Sequence, residues 1–267
     1  MSSISLNLDN PELAQEYERI SAERQFKNGQ VLIGELAIAP GERVLDVGGG
    51  TGLLAQYVAD LVGPTGSVVA IDPLPLRIEI ATHKARSNLN FRVGNAYDLS
   101  EFPPHSFDVV YLSAVLHWLP EKLEPLRQIA RVLRSGGRLG ISTGSRNSSS
   151  RLHEIKAQIL SREPYCHYPE SQDGTAYWVT AEELKELLIR SGFEIKTIEE
   201  RMSEQEFPSA ESAIRFSEAS SFGNFLGHLP EPIRSQAREA IKQELQRLMP
   251  AGTRRKRLRI LAIATKP

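Results

Sequence analysis

The segment Val44–Gly52 reads VLDVGGGTG, three apolar residues and an aspartate running into four glycines in five positions. Glycine loses more backbone freedom on folding than any other residue, so the cluster needs a steric reason. A Gly48-x-Gly50-x-Gly52 turn after a strand lets a ligand lie against the main chain and points the N–H groups of the next helix at it. Leu53 stands where a dinucleotide fingerprint has its third glycine, and Asp46 lies inside the strand where such enzymes have an apolar residue. The pattern therefore argues against a nicotinamide dinucleotide and for a nucleoside with a charged amino-acid tail. A tight strand-to-helix turn without a ligand is the competing reading.

Three further landmarks follow. VVAIDPL ends in Asp72, twenty residues past Gly52. A carboxylate there can accept both hydroxyls of a ribose, or it can cap a helix starting near Leu74. FRVGNAYDL brings Gly94, Asn95 and Ala96 to the end of a strand, and FDVVYLSAVLHWLP ends another and places His117 just beyond it. With an ordinary pKa near ~6.5, His117 suits proton abstraction from a hydroxyl or amine; it could equally order its loop through a backbone bond.

Rings concentrate in EPYCHYPES and GTAYWVT, which carry Tyr165, His167, Tyr168, Tyr177 and Trp178 in a chain that is 7% aromatic. They suit the wall of an acceptor pocket, or a cluster that pins one segment to another. RRKRLR puts Arg254, Arg255, Lys256, Arg257 and Arg259 in six positions, to grip phosphate or an acidic carrier, or to form a solvated turn.

The elements that must position these residues alternate in the order βαβα. Strands are expected at Arg43–Val47, Ser67–Asp72, Asn90–Val93, Phe107–Leu112, Arg138–Thr143, Phe193–Arg201 and Arg257–Thr265. EKLEPLRQIARVLRSGG predicts a helix stopped by Gly136-Gly137, and TAEELKELLIRSGF predicts one with a Thr180/Glu183 capping box and Gly192 at its end. The fold expected is α/β, a Rossmann-like seven-stranded doubly wound sheet with a mainly helical cap inserted late in the chain. We assign one domain over residues 1–267, with a ligand-binding half at 31–143 and the sheet completed by 180–202 and 254–267. The cap comprises 144–179 and 203–253, and Ile233, Ala237, Ile241, Leu245 and Leu248 form one apolar helix face in it.

The chain has 267 residues, enough for a full core, and its 32 basic residues against 33 acidic ones give a net charge of −1. That balance supplies no global field toward nucleic acid or anionic membrane and favours small or local partners. One cysteine, Cys166, excludes an internal disulfide. No secretory leader or apolar run of membrane-spanning length is evident, which implies a cytoplasmic protein without membrane insertion.

The four ordered landmarks resemble the class I S-adenosylmethionine-dependent methyltransferases. The resemblance is to the small-molecule branch that includes ubiquinone/menaquinone, trans-aconitate and malonyl-carrier-protein methyltransferases. It is strong over Glu42–Thr143 and continues weakly through LIRSGFE to ILAIATKP. It implies S-adenosylmethionine as cofactor and S-adenosylhomocysteine as product, with no metal. It also implies that Asp46, Gly48, Gly49, Gly50 and Gly52 hold the methionine part, Asp72 and Pro73 the ribose side, and Leu74 and Ala96 the adenine, with Ser113 completing the set. The family most often has an aspartate accepting from the adenine amino group at position 95; Asn95 retains an acceptor oxygen but no charge. His117 would be the catalytic base, and Trp118, Tyr165, Tyr168, Tyr177 and Trp178 would surround a small-molecule acceptor. A single thiol does not suit arsenite, which calls for several thiolates. Methylation of RNA or a carrier protein through the basic run, and cofactor binding without methyl transfer, are the alternatives.

Overall fold

A computed structural model describes residues 8–148, 150–168, 176–250 and 252–267. Asn10 caps α1 (Pro11–Glu16) through its side chain, which accepts from Leu13 N–H, and a π-helical turn (Tyr17–Ala22) carries the chain into α2 (Glu23–Leu36). The alternating core follows: β1 (Arg43–Val47), α3 (Leu53–Val62), β2 (Ser67–Asp72), α4 (Pro75–Thr82), β3 (Leu89–Val93) and β4 (Phe107–Ser113). A short 3₁₀ turn (Leu116–Trp118), α5 (Leu123–Val132) and β5 (Leu133–Gly144) complete it.

The seven strands lie in the order β3-β2-β1-β4-β5-β7-β6, where β6 is Glu194–Phe207 and β7 is Thr253–Thr265. β1 to β5 pair in parallel, and β7 runs antiparallel between β5 and β6. The chain winds outward from β1 to β3 and then returns to place β4 on the other side of β1. The carboxyl ends of β1 and β4 therefore diverge into a crevice, the place where open α/β sheets take their ligands. One apolar layer packs α5 and α7 (Ala181–Arg190) on one face of the sheet, and a second packs α2 and α3 on the other.

A third cluster belongs to the cap. It joins α6 (Arg151–Leu160), α8 (Ala210–Ser220) and α9 (Ile233–Leu248) around Ile155, Ile214, Phe216, Ile241 and Leu245. On α9, Ala237, Ile241 and Leu245 are buried as the helical spacing predicts, with Ile233 and Leu248 at the margin.

Several boundaries differ from the expected ones. The helix expected to run to Gly136-Gly137 ends at Val132, because Leu133 already pairs with Phe107 as the first residue of β5. The glycines thus turn an irregular strand instead of stopping a helix. β6 and β7 are longer than expected and run into the cap region as a two-stranded ribbon, pairing from Glu194↔Thr265 to Phe207↔Thr253. Strand β5 accompanies them only as far as Gly144↔Arg259. Beyond that point, among the described residues of β6, only Phe207 enters a core cluster, that of the cap, so the apolar alternation that marks a strand is missing. Cross-strand charge supports it instead, with Lys256 Nζ 3.1 Å from Glu204.

Candidate active site

At the end of β1 the glycine loop folds back on β2: the N–H groups of Gly48 and Gly49 donate to the Ile71 carbonyl at 2.8 and 3.0 Å. Two packing demands explain the bare backbone. Gly48 has φ +83°, and a Cβ there would lie 2.2 Å from Val115 Cγ2. Gly50 has φ +56°, and its bare face looks at the ring of Tyr17, whose hydroxyl would be 3.3 Å from an added Cβ. Left-handed backbone of this kind favours glycine.

The Asp72 carboxylate, buried at the end of β2, ties this loop to the next one. Its Oδ2 accepts from Gly50 N–H at 2.9 Å and its Oδ1 from Leu74 N–H at 3.0 Å. Asp72 does not cap α4, whose N-cap residue is Leu74 with no side-chain cap; it closes the turn before the helix, and each of its oxygens keeps a second lone pair. Burial raises its pKa, while the Arg77 guanidinium and these two N–H donors oppose the rise. Asp46 is buried beside it and accepts from the Tyr111 hydroxyl at 2.7 Å. Desolvation pushes Asp46 up to about 7. A buried carboxylate in that state is stabilised as an anion by a cationic ligand group.

These residues surround a cavity of about 390 Å³ over the carboxyl ends of β1, β2 and β4. Gly48, Gly50, Asp72, Pro73 and Leu74 line it from one side, and Asn95, Ala96 and Ser113 line it from the other. Asp46, Gly49 and Gly52 line a recess of about 40 Å³ that shares Tyr17, Gln25, Gly48 and Ser113 with it. Asn95 Oδ1 accepts from Tyr97 N–H at 2.9 Å, which holds the side-chain carbonyl in an Asx turn. The roof comes from distant segments: the Arg77 guanidinium lies between the rings of Tyr17, at 3.8 Å, and Phe222, at 4.7 Å.

A second cavity of about 350 Å³ lies under the cap. Gln25, Ala114, Trp118 and Ser220 line both cavities, so the two adjoin at the end of β4. Ala114 takes φ +61° there, a conformation rare for a non-glycine residue, and its N–H donates to the Ser142 carbonyl at 2.8 Å. His117 borders the second cavity, with Nδ1 3.0 Å from Thr143 Oγ1 and its ring stacked on Trp178 at 4.4 Å. Burial, and after it Arg257, Arg259 and Lys122, hold its pKa well below the usual histidine value. The imidazole is therefore neutral at ordinary pH and available as a proton acceptor.

Of the rings expected around an acceptor, Trp118 and Trp178 line the second cavity. Tyr165, Tyr168 and Tyr177 are not among the described residues that line either one. Tyr165 packs against the cap core, Tyr168 is exposed, and the Tyr177 N–H donates to the His117 carbonyl at 2.7 Å. Tyr17, Gln25, Arg77, Phe222, Arg257 and Arg259 are lining residues that the sequence reading did not place at the site. Asn10 followed by Pro11 was a usable signal for the N-terminal helices that bring Tyr17 and Gln25 there.

A family model described as a methyltransferase domain matches residues 45–141. The ubiquinone/menaquinone biosynthesis C-methyltransferase of Ectopseudomonas mendocina (strain ymp) is 31% identical over 172 residues, covering 59% of this chain and 67% of the relative. The ubiquinone biosynthesis O-methyltransferase of Xanthomonas campestris pv. campestris (strain B100) is 36% identical over 127 residues, covering 46% of this chain and 52% of the relative. The fold is similar to that of a SAM-dependent methyltransferase from Aquifex aeolicus, with a TM-score of 0.52 and 20% identity over 71% of this chain and 91% of that one. Glycine loop, paired acidic residues and sheet order agree with these likenesses: the chain belongs to the class I S-adenosylmethionine-dependent methyltransferases, and S-adenosylmethionine is its cofactor.

Proposed function

We propose that the cavity over β1 and β2 holds the cofactor, that the cavity under the cap holds a small-molecule acceptor, and that the methyl group crosses where the two meet. The observation that carries this reading is the shared wall at Ala114 and Trp118. When bound, the cofactor supplies a sulfonium methyl group, a strong electrophile that needs a nucleophile placed in line with it. Orientation and exclusion of water are then the main contributions of the protein, on the order of 7–11 kcal/mol when alignment is good.

The donor set suits the cofactor. Asp46, destabilised as an anion by burial, gains from a cationic amino group in its recess, and Asp72 has lone pairs left for ribose hydroxyls. Leu74 and Ala96 offer apolar contact for a purine, and Tyr17, Arg77 and Phe222 pack together in the cavity wall. On the acceptor side, His117 takes the proton from a hydroxyl or carbon acid as the nucleophile develops, and Trp178 and Trp118, which pack against its imidazole, hold it at the cavity wall. Relatives named for C- and O-methylation of quinone precursors favour a carbon or oxygen nucleophile.

The test separates small from large acceptors. Purified protein is incubated with methyl-labelled S-adenosylmethionine and with either the low-molecular-weight or the macromolecular fraction of a cell extract. We expect label in the small-molecule fraction only. Label confined to RNA or protein would overturn the reading.

A further inference from the structure

The basic run RRKRLR is divided by the alternation of β7. Lys256 pairs in register with Glu204 and meets its carboxylate, whereas Arg257 and Arg259, two residues apart and so on one face of the strand, line the cavity under the cap. The Arg257 guanidinium lies 4.5 Å over the Trp178 ring, and Arg259 Nη2 donates to Ser142 Oγ at 3.0 Å. Lys156 adds a third cation from α6. Ser203 and Gln205, on the matching face of β6, add neutral polar groups. Among the described residues that line this cavity there is no aspartate or glutamate, whereas the cofactor cavity has Asp72. Desolvation brings Arg259 down to about 10, so it stays a cation at neutral pH. A concave, partly desolvated site with planar forks of this kind matches carboxylate and phosphate geometry.

We propose that the methyl acceptor is an organic anion whose carboxylate or phosphate group is anchored by Arg257 and Arg259. The proposal rests on reading this cavity as the acceptor site. It accounts for one further feature. The cations that, after burial itself, disfavour a charged His117 are offset once an anion sits among them.

Isothermal titration of the protein saturated with S-adenosylhomocysteine, using benzoate, phenyl phosphate and neutral benzamide as probes, tests the assignment. One of the anions should bind at least about 10-fold more tightly than benzamide. Arg257→Gln and Arg259→Gln should each weaken that binding about 10-fold or more, with Arg257→Lys intermediate. S-adenosylhomocysteine affinity and cooperative unfolding should be retained in all three, which shows that the variants are folded. Preference for benzoate identifies a carboxylate anchor and preference for phenyl phosphate a phosphate anchor. The proposal is overturned if benzamide binds as tightly as both anions, if neither anion binds, or if the folded glutamine variants bind them as the parent does. Failure of the parent protein to bind S-adenosylhomocysteine would count against the methyltransferase reading instead.

Discussion

Asp72→Ala is expected to weaken S-adenosylhomocysteine binding by about 100-fold or more and to lower Tm as well. Two losses combine. The ribose would lose charge-assisted hydrogen bonds, worth roughly 1.5–3 kcal/mol each to a charged partner. In addition, the Gly50 and Leu74 N–H groups, held at 2.9 and 3.0 Å, would be left without their acceptor in a buried site. An unmet buried donor costs about 1–3 kcal/mol, so the loop that shapes the cavity loosens as well. Asp72→Asn keeps one acceptor oxygen but turns an N–H₂ toward one of the two backbone donors, so it should fall between parent and alanine variant. Calorimetry showing parental affinity in a folded Asp72→Ala protein would remove this residue from the cofactor site.

The second large effect separates the structural role of the glycine loop from its ligand role. Gly48→Ala puts a Cβ 2.2 Å from Val115 Cγ2 in a residue at φ +83°. Val115 lies in the segment that carries the cavity wall from Ala114 to His117, so it has little room to retreat. Denaturant unfolding should show a loss of about 3 kcal/mol or more, with or without cofactor. Gly63→Ala is the comparison: φ is +67° with ψ −168°, a region adopted essentially by glycine, but nothing lies within 4 Å of the added Cβ, so only the backbone penalty of about 1–3 kcal/mol applies and the contact term is absent. Equal losses at the two positions would show that the contact with Val115 does not matter.

This contrast explains how much of the site was legible in the sequence. The glycine loop, Asp72 and the thread of five parallel strands are encoded locally, by glycine spacing, a strand-ending carboxylate and period-two apolar runs. The Thr180/Glu183 capping box is local too, and it forms with the Thr180 side chain accepting from Glu183 N–H. The roof and the acceptor wall are not local. Phe222 and Arg77 are far apart in sequence and meet where the Arg77 guanidinium also donates to the Ala219 carbonyl, at the end of α8. Arg257 and Arg259 line the cavity while Lys256 pairs with Glu204, a division set by the alternation of side chains along β7 and by the cap segments that cover one of its faces. Composition alone showed a basic run. The rings of Tyr165 and Tyr168 illustrate the converse: aromatic richness does not say which ring packs, which stays exposed and which lines a site.

The division of labour between the two cavities is the central claim, and Gly144→Ala tests it most directly. Gly144 and Trp178 line the cavity under the cap and are not among the described residues lining the cofactor cavity. A Cβ at Gly144 would lie 2.4 Å from Trp178 Cζ3, so the indole must leave its stack on His117. The measurement is the initial rate of label transfer into the small-molecule fraction, taken beside the Kd for S-adenosylhomocysteine on the same folded variant. The account predicts a rate reduced at least about 10-fold with Kd unchanged, since misplacing an acceptor by about 1 Å is enough for such a loss. An unchanged rate, or a Kd that worsens in step with the rate, would contradict it.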